Sequence, residues 1–311
     1  MSRPLRALLG VPAPAKLNWF LHVLGRRADG MHELQTVFQF IDWCDELDFE
    51  LRETPELTRE GGDGLPDEDL CVRAARLLQR STDCRLGVHM RLRKSIPAQA
   101  GLGGGSSDAA TVLLALNRLW DLGLRRGELL ELAAQLGADV PVFVFGRNAF
   151  AEGVGARLRE LRLPSWSALV AWPGEGLSTA QVFASPLLTR STPACTMEGF
   201  CEHLDFGYND FGYNDFGAND LQAAALGLLP RLRELQDWLA RRVDGEGGGE
   251  GGRRGAVRMS GSGSAMFVPW PEPFDPMDRG EGRFAGEVPA GWKVRLCRAL
   301  QGHPLQHWAG D

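Results

Sequence analysis

The sequence predicts a mixed fold of strands and helices divided into two lobes, and three observations carry that prediction. Residues 15–23 (AKLNWFLHV) place an apolar side chain at every second position, as a strand does, and a second strand-like region covers residues 31–51. Apolar residues at helical spacing follow over residues 68–80 and again beyond residue 108. Residues 167–172 (SALVAW) then indicate a new buried strand, so we place the lobes at residues 1–163 and 164–311.

The remaining elements follow in order along the chain. The pattern predicts a loop at residues 59–67, a strand at 86–93, helices at 109–120 and 128–136, and short closing strands at 149–161. Residues 221–239 keep a helical stripe that Pro230 interrupts, which predicts two helices or one kinked helix. Residues 256–270 predict a strand, a turn and a strand. Two segments of the second lobe, near 205–218 and 244–254, are interpreted as insertions, because the first repeats a five-residue unit and the second is rich in glycine.

Composition limits the classes of function. The chain has 311 residues with 44% hydrophobic content and a net charge of −6, which disfavours nucleic acid as a partner. Its six cysteines form no C-x-x-C pair, which favours a reducing cytoplasm over a zinc site or a disulfide framework. The N-terminal apolar run is interrupted by Gly10 and prolines, which argues against a signal peptide. No stretch reaches the roughly 20 apolar residues of a membrane span. We therefore expect a soluble cytoplasmic protein.

Lysine is rare in this chain. Only Lys16, Lys94 and Lys293 are lysines, whereas the other 31 of the 34 basic residues are arginines. A compact ammonium with a movable pKa differs chemically from a rigid guanidinium that is always charged. Each lysine is therefore a candidate for a position that arginine could not fill.

The stretch AGLGGGSSDAA at residues 100–110 suits a phosphate-binding loop. Its four glycines allow positive φ angles and close approach of backbone N–H groups to a ligand, and the helix that follows would direct its N-terminus at an anion. Ser106 and Ser107 are predicted to cap that helix. Ser106 also stands where a Walker loop requires lysine, so the cation must come from elsewhere. The alternative is a plain strand–helix turn.

Three further clusters could carry chemistry. Lys16 and Asn18 follow PAPA on the first strand, where the alternative is an exposed strand-edge lysine. Asp139 enters the apolar run LGADVPVFVFG, and composition alone favours a helix cap over a general base. MSGSGSA at residues 259–265 suits a hairpin turn, or a second loop that packs against the first or closes over a ligand.

In this order, PAKLN, IPAQAGLGGGSSDAA and MSGSGSAMF resemble the three motifs of the GHMP kinase superfamily. Within it, residues 14–40, 100–110 and 136–155 look most like the 4-diphosphocytidyl-2-C-methyl-D-erythritol kinase family, and the RADG-x-HELQTVFQ segment is the most specific part. The resemblance covers about residues 12–185 and returns at 256–268. It implies a two-lobed α+β fold with the active site in the cleft between the lobes. It also implies ATP-dependent phosphorylation of the 2-hydroxyl of a cytidyl-diphosphate-linked methylerythritol, in non-mevalonate isoprenoid precursor biosynthesis.

The resemblance also implies roles for single residues. Lys16 and Asp139 match the catalytic pair, with Asp139 taking the hydroxyl proton and Lys16 stabilising the developing charge. The substrate would contact Asn18, Met31, His32, Thr179 and Phe183, with Met31 replacing the aromatic residue that commonly stacks on cytosine. The ATP-binding segment would comprise Pro97, Ala98, Gln99, Ala100, Gly101, Leu102, Gly103, Gly104, Gly105, Ser106 and Ser107. Mg²⁺ is expected with ATP, held either by the Ser106 or Ser107 hydroxyl or through water.

Three alternatives remain at the level of the sequence. The first is a GHMP-type kinase of another small alcohol such as homoserine, for which the His32 segment would have no purpose. The second is a catalytically silent ATP-binding protein, which the presence of both Lys16 and Asp139 disfavours. The third is a protein–protein scaffold, which only the repeat at 205–220 favours.

Overall fold

The computed structural model describes residues 5–204, 218–244, 257–270, 284 and 286–311. The two predicted insertions therefore lie outside the described residues, apart from Ala218 and Asp244 at their ends. The α+β class is confirmed, since two antiparallel-rich sheets carry separate groups of helices.

The first sheet is built around one long central strand. Its strands are β1 (Ala7–Arg26), β2 (His32–Arg52), β3 (Leu57–Gly61), β4 (Gly87–Arg93), β5 (Ala149–Gly153) and β6 (Arg157–Glu160). β2 pairs with β1 along its length, while its first half also pairs with β5 and its second half with β4. The predicted strand at residues 15–23 is thus the middle of a longer one, and both of its faces are buried. The predicted loop at 59–67 is wrong at its start, because β3 pairs there with β4.

One face of this sheet carries four helices. They are α1 (Leu70–Ser81), α2 (Gly104–Leu119), α3 (Arg126–Leu136) and α4 (Val140–Phe145). Asp69 caps α1 by accepting a hydrogen bond from the Val72 N–H at 3.0 Å. α2 is buried along nearly its whole length and contacts the other three helices as well as β1. It therefore places the glycine loop against the strand that carries Lys16.

The second sheet belongs to the other lobe. Its strands are β7 (Ser167–Trp172), β8 (Arg258–Met259), β9 (Met266–Trp270) and β10 (Lys293–Arg298), in the order β10-β7-β9-β8. Its helices are α5 (Thr179–Ala184), α6 (Met197–Leu204), α7 (Leu221–Leu228) and α8 (Arg231–Asp244). The break between α7 and α8 falls at Leu229 and Pro230, which confirms the prediction of two helices.

The two sheets share a core, and the C-terminal residues return to the first lobe. Buried side chains of β1 and β2 pack against those of β7, β9 and β10. Beyond β10, the Leu300 N–H donates to the Phe40 carbonyl at 2.8 Å and the His303 N–H donates to the Gly146 carbonyl at 2.9 Å. The predicted boundary at residues 163 and 164 falls between β6 and β7, and the division into those two ranges stays a prediction. Within the described residues, no helix is long and apolar enough to cross a membrane.

Candidate active site

A cleft of about 1270 Å³ lies where the glycine loop, β1, the start of β2 and α5 meet. Both lobes contribute to its wall, since Gly261, Ser262 and Gly263 of the β8–β9 turn face residues of the first sheet. Nine of the predicted site residues line it: Lys16, Asn18, Met31, His32, Gln99, Gly101, Asp139, Thr179 and Phe183. Residues that lie far apart in sequence are therefore brought to one cavity.

Lys16 and Asp139 form the only charged pair that we predicted to be catalytic, and they meet in this cleft. Lys16 Nζ lies 3.5 Å from Asp139 Oδ2, and the lysine is 2% exposed whereas the carboxylate side chain is 41% exposed. Burial lowers the pKa of Lys16 below its usual value, and the negative charge of Asp139 opposes that shift. Asp139 stands at the N-cap position of α4, yet its side chain makes no capping hydrogen bond. The helix start that composition indicated is therefore observed, but the expectation that the Asp139 side chain caps the helix is wrong.

Asn18 holds the lysine in place. Lys16 Nζ donates to Asn18 Oδ1 at 2.6 Å, and Asn18 Nδ2 donates to Thr36 Oγ1 at 2.8 Å. Thr36 in turn donates to the Phe20 carbonyl, which leaves its hydroxyl oxygen free to accept. Because both ends of the Asn18 amide are engaged inside the first sheet, Asn18 orients the Lys16 ammonium as well as lining the cleft.

Two glycines of the loop are required by geometry. Gly101 and Gly103 both have φ near +73°, in the left-handed region that favours glycine. A Cβ on Gly101 would lie 2.0 Å from the Ser260 carbonyl oxygen. A Cβ on Gly103 would lie 2.8 Å from the ring of Phe143 and 3.2 Å from Lys16 Cγ. The loop therefore passes against the second-lobe turn on one side and against the side chain of Lys16 on the other.

The helix begins earlier than the sequence pattern indicates. Gly103 is the N-cap of α2 and no side chain caps it, so the prediction that Ser106 and Ser107 cap the helix is wrong. Both serines lie within the first turn, where Ser106 is half-buried and Ser107 is fully buried. The physical reason is the left-handed backbone of Gly103, which turns the chain into the helix before the serines are reached. The free N–H groups of the first turn thus belong to Gly104, Gly105 and Ser106.

The rest of the predicted ATP-binding segment divides into exposed and buried positions. Ala98 and Gln99 are exposed, whereas Pro97 is buried. Ala100 and Leu102 belong to the core between the sheets, and their carbonyls accept hydrogen bonds from the Ala265 and Lys16 N–H groups, both at 3.0 Å. Ala100 and Leu102 therefore anchor the loop, and their buried side chains are not available to contact a ligand.

A second lysine lies beneath the glycine loop. Lys94 Nζ donates to Asp108 Oδ2 at 2.7 Å and also to Asp45, and Asp45 accepts the N–H groups of Ser95 at 2.6 Å and Ile96 at 2.9 Å. Burial raises the pKa of Asp108 to about 7, and the repulsion of Asp45 adds to that shift while Lys94 opposes it. This cluster ties β2, the start of the loop and α2 together.

The β8–β9 turn of the second lobe contacts the glycine loop of the first lobe. Ser260 Oγ donates to the Gly101 carbonyl at 3.0 Å, and Ser262 Oγ and Thr179 Oγ1 are hydrogen-bonded at 2.8 Å. Of the two functions left open for MSGSGSA, packing against the glycine loop is thus observed. Thr179, predicted to contact the substrate, opens α5 next to this turn.

At the end of the cleft formed by α5 and the start of β2, His32 stacks on Phe183 with ring centroids 4.8 Å apart. Met31 beside it is 51% exposed, and Arg190 Nε lies 3.3 Å from His32 Nε2. Arg190 and Arg26 both line this end, and sequence reasoning missed them, because one arginine among 31 gives no signal.

Comparison with known proteins identifies the family of this chain. The profile of the GHMP kinases N terminal domain matches residues 69–147. The 4-diphosphocytidyl-2-C-methyl-D-erythritol kinase of Paracidovorax citrulli is 46% identical over 99% of both chains, and that of Verminephrobacter eiseniae is 47% identical over 99% of both. The chain belongs to the 4-diphosphocytidyl-2-C-methyl-D-erythritol kinase family. The resemblance drawn from its motifs is thereby confirmed.

Solved structures agree with membership of this kinase family. A crystal structure of 4-(cytidine 5'-diphospho)-2C-methyl-D-erythritol kinase is 36% identical, covers 93% of this chain and 98% of its own, and has a TM-score of 0.73. Homoserine kinase from Cytophaga hutchinsonii, the alternative considered above, is 15% identical over 97% of both chains with a TM-score of 0.66. A likeness at that identity shows the shared fold alone.

Proposed function

We propose that this chain transfers the γ-phosphoryl group of ATP to the 2-hydroxyl of 4-diphosphocytidyl-2-C-methyl-D-erythritol, a step of non-mevalonate isoprenoid precursor biosynthesis. The observation that carries the proposal is the pair of Lys16 and Asp139, 3.5 Å apart, in one cleft with the glycine loop and the His32–Phe183 stack. Membership of the kinase family supports the choice of acceptor.

ATP would bind along the glycine loop. The first-turn N–H groups of α2 and the positive end of its dipole suit the phosphates. The cation that a Walker lysine would supply comes instead from Lys16 on β1, whose ammonium lies within 3.1 Å of the Cβ position of Gly261. Lys16 is therefore positioned between the phosphate loop and the turn of the second lobe.

Proton transfer would be the task of Asp139. Its carboxylate is the more exposed member of the pair and faces the cleft, so it can accept the proton of the acceptor hydroxyl. Lys16 then stabilises the developing alkoxide and the transferring phosphoryl group. Because burial lowers the pKa of Lys16 and Asp139 opposes that shift, the aspartate also helps to keep the lysine charged.

Mg²⁺ would accompany ATP and neutralise phosphate charge. Among the described residues, no group of three or more His, Cys, Asp and Glu side chains could hold a metal ion. Mg²⁺ needs only one or two protein ligands when phosphates and water supply the rest. The hydroxyl of Ser107, buried without a hydrogen-bond partner in the described part of the chain, and that of Ser106 fit this requirement.

The experiment that tests this function measures ADP release with the cytidyl-diphosphate alcohol, homoserine, mevalonate and galactose as acceptors. We expect turnover with the cytidyl substrate and none with the other three. Turnover with homoserine alone would reject the proposed acceptor and favour the alternative kinase. ATP binding without turnover of any acceptor would favour a catalytically silent protein.

The role of Asp139 has its own test. Asp139→Asn should lower turnover by about 10²–10⁴-fold, because a positioned base contributes that much, while calorimetry should still detect the acceptor. Glu60→Gln is the matched control, since Glu60 is an exposed carboxylate that pairs with Arg91 on β4. It should leave turnover unchanged. Near-normal turnover of Asp139→Asn would remove this residue from the mechanism.

A further inference from the structure

Arg190 is held rigidly beside the histidine at the cytidyl end of the cleft. Its Nε donates to His32 Nε2 at 3.3 Å. The remaining guanidinium nitrogens donate to three backbone carbonyls, those of Phe183 at 2.7 Å, Ser185 at 3.2 Å and Leu188 at 3.2 Å. Phe183 is also the ring on which His32 stacks. The guanidinium is therefore fixed by the turn after α5, and Arg190 and His32 line the cleft side by side.

This contact decides where His32 carries its proton. A guanidinium has donors only, so the ring nitrogen that faces Arg190 must be unprotonated and accept. The proton of the neutral imidazole then belongs to the other nitrogen, Nδ1. No described residue is hydrogen-bonded to Nδ1. Burial lowers the pKa of His32, and the positive charges of Arg190 and Arg26 lower it further, so the ring stays neutral at physiological pH.

We propose that Arg190 is a positioning residue that fixes His32 as an Nδ1–H donor, and that this donor selects a cytosine base over a uracil base. The selection follows from the Watson–Crick edges, because N3 of cytosine accepts a hydrogen bond whereas N3 of uracil carries a hydrogen and donates. An Nδ1–H that meets cytosine N3 is satisfied, but one that meets uracil faces another donor. The inference rests on the proposed function, in which His32 reads the edge of the base.

The first test uses the unaltered protein. With uniform ¹⁵N labelling, two-dimensional ¹⁵N–¹H spectra that correlate both ring nitrogens with the carbon-bound ring protons identify the tautomer of each histidine. His32→Gln assigns the signals of His32 by their loss. We expect Nδ1 protonated and Nε2 unprotonated at pH 7.5. A neutral His32 with its proton on Nε2, or a protonated ring, would overturn the inference. This test therefore needs no variant of Arg190.

The second test removes the guanidinium. Arg190→Met should turn the His32 signals into an average of the two tautomers. Arg26→Met is the matched control, because Arg26 is an exposed arginine at the same end of the cleft that donates to the Gly30 carbonyl and not to His32. It should leave the tautomer unchanged. A fixed Nδ1–H tautomer in Arg190→Met would show that Arg190 is not the residue that sets it.

The third test measures base selection by calorimetry. Cytidine diphosphate and uridine diphosphate are titrated into the protein with a saturating non-hydrolysable ATP analogue, so that the ATP site is occupied. We expect the ratio of the two dissociation constants to fall about tenfold in Arg190→Met and to stay unchanged in Arg26→Met. An unchanged ratio in Arg190→Met would reject base selection through Arg190. Failure of cytidine diphosphate to bind the unaltered protein would instead reject the proposed function.

Discussion

The buried carboxyl group of Asp108 predicts how the folding stability of this protein changes with pH. Burial raises the pKa of Asp108 to about 7 from the value of 3.8 that we take for the unfolded chain. The folded state therefore binds more protons than the unfolded state between these two values. The stability that this group contributes is fully present below pH 3.8 and is lost as pH rises through about 7.

Asp108→Asn should remove this dependence, because the amide has nearly the shape of the acid and cannot ionise. The difference of about 3 pKa units (7 − 3.8) corresponds to roughly 4 kcal/mol at 1.36 kcal/mol per unit. The free energy of unfolding of the variant should thus rise relative to that of the unaltered protein by up to roughly 4 kcal/mol between pH 4 and pH 7. Lys94 keeps its second carboxylate, Asp45, in the variant and remains paired.

The assay is urea unfolding of both proteins at several pH values from 4.5 to 8. Asp48→Asn is the control of opposite sign. The hydrogen bond from Arg93 lowers the pKa of Asp48 to about 2, so its contribution is present above pH 3.8 and is lost only in stronger acid. Its difference from the unaltered protein should be constant over the assay range. A difference for Asp108→Asn that is equally constant would refute the reasoning, since Asp108 would then be ionised in the native state throughout.

Three further outcomes are expected. Gly103→Ala should destabilise the fold by about 1–3 kcal/mol in urea unfolding and lower kcat/KM, because the φ of +73° at Gly103 and a Phe143 ring carbon 2.8 Å away oppose a Cβ. Gly105→Ala is the control, since a Cβ there would have no contact under 3.6 Å, and it should not be destabilised. Burial lowers the pKa of His303 to about 3, so the stability that this residue contributes is present above pH 6.5 and is lost as pH falls towards 3. The free energy of unfolding of His303→Phe should therefore fall less in acid than that of the unaltered protein, and an equal fall would contradict this. Arg126→Gln should lower the free energy of unfolding by about 3–5 kcal/mol, measured by thermal or urea unfolding, because the buried guanidinium donates to four backbone carbonyls. Arg147→Gln, at a half-exposed ion pair, should lower it by less than about 1 kcal/mol, and equal losses in the two variants would argue against burial as the cause.

Local pattern predicted most of the strands and helices, because periodicity acts within a single element. It could not predict what a side chain meets across elements. Asp139 is the clearest case: its sequence neighbourhood is that of a helix cap, and only the packing of α4 and β1 against α2 brings it to Lys16. The functional interpretation of Asp139 therefore came from the family resemblance and not from composition.

Backbone conformation limited the sequence analysis at the glycine loop. Four glycines permit many paths, and the observed one turns into the helix at Gly103, whose Cβ position is blocked by Phe143. Serine at a helix start is a good cap only if the helix begins immediately after it. The identity of the residues therefore indicated a phosphate loop, but the register of the helix within it depended on a contact from α4.

The scarcity of lysine gave a prediction that the structure explains in physical terms. Lys16 and Lys94 are both set against buried or half-buried carboxylates, whereas Lys293 is exposed. The space around Lys16 is bounded by Gly103 and Gly261, whose Cβ positions lie 3.2 Å and 3.1 Å from its side-chain atoms. A planar guanidinium with five donors would not fit between them or find acceptors there, while a compact ammonium meets Asn18 and Asp139. The two glycines, which come from different lobes, and the lysine therefore depend on one another, and this explains why lysine rather than arginine stands at position 16.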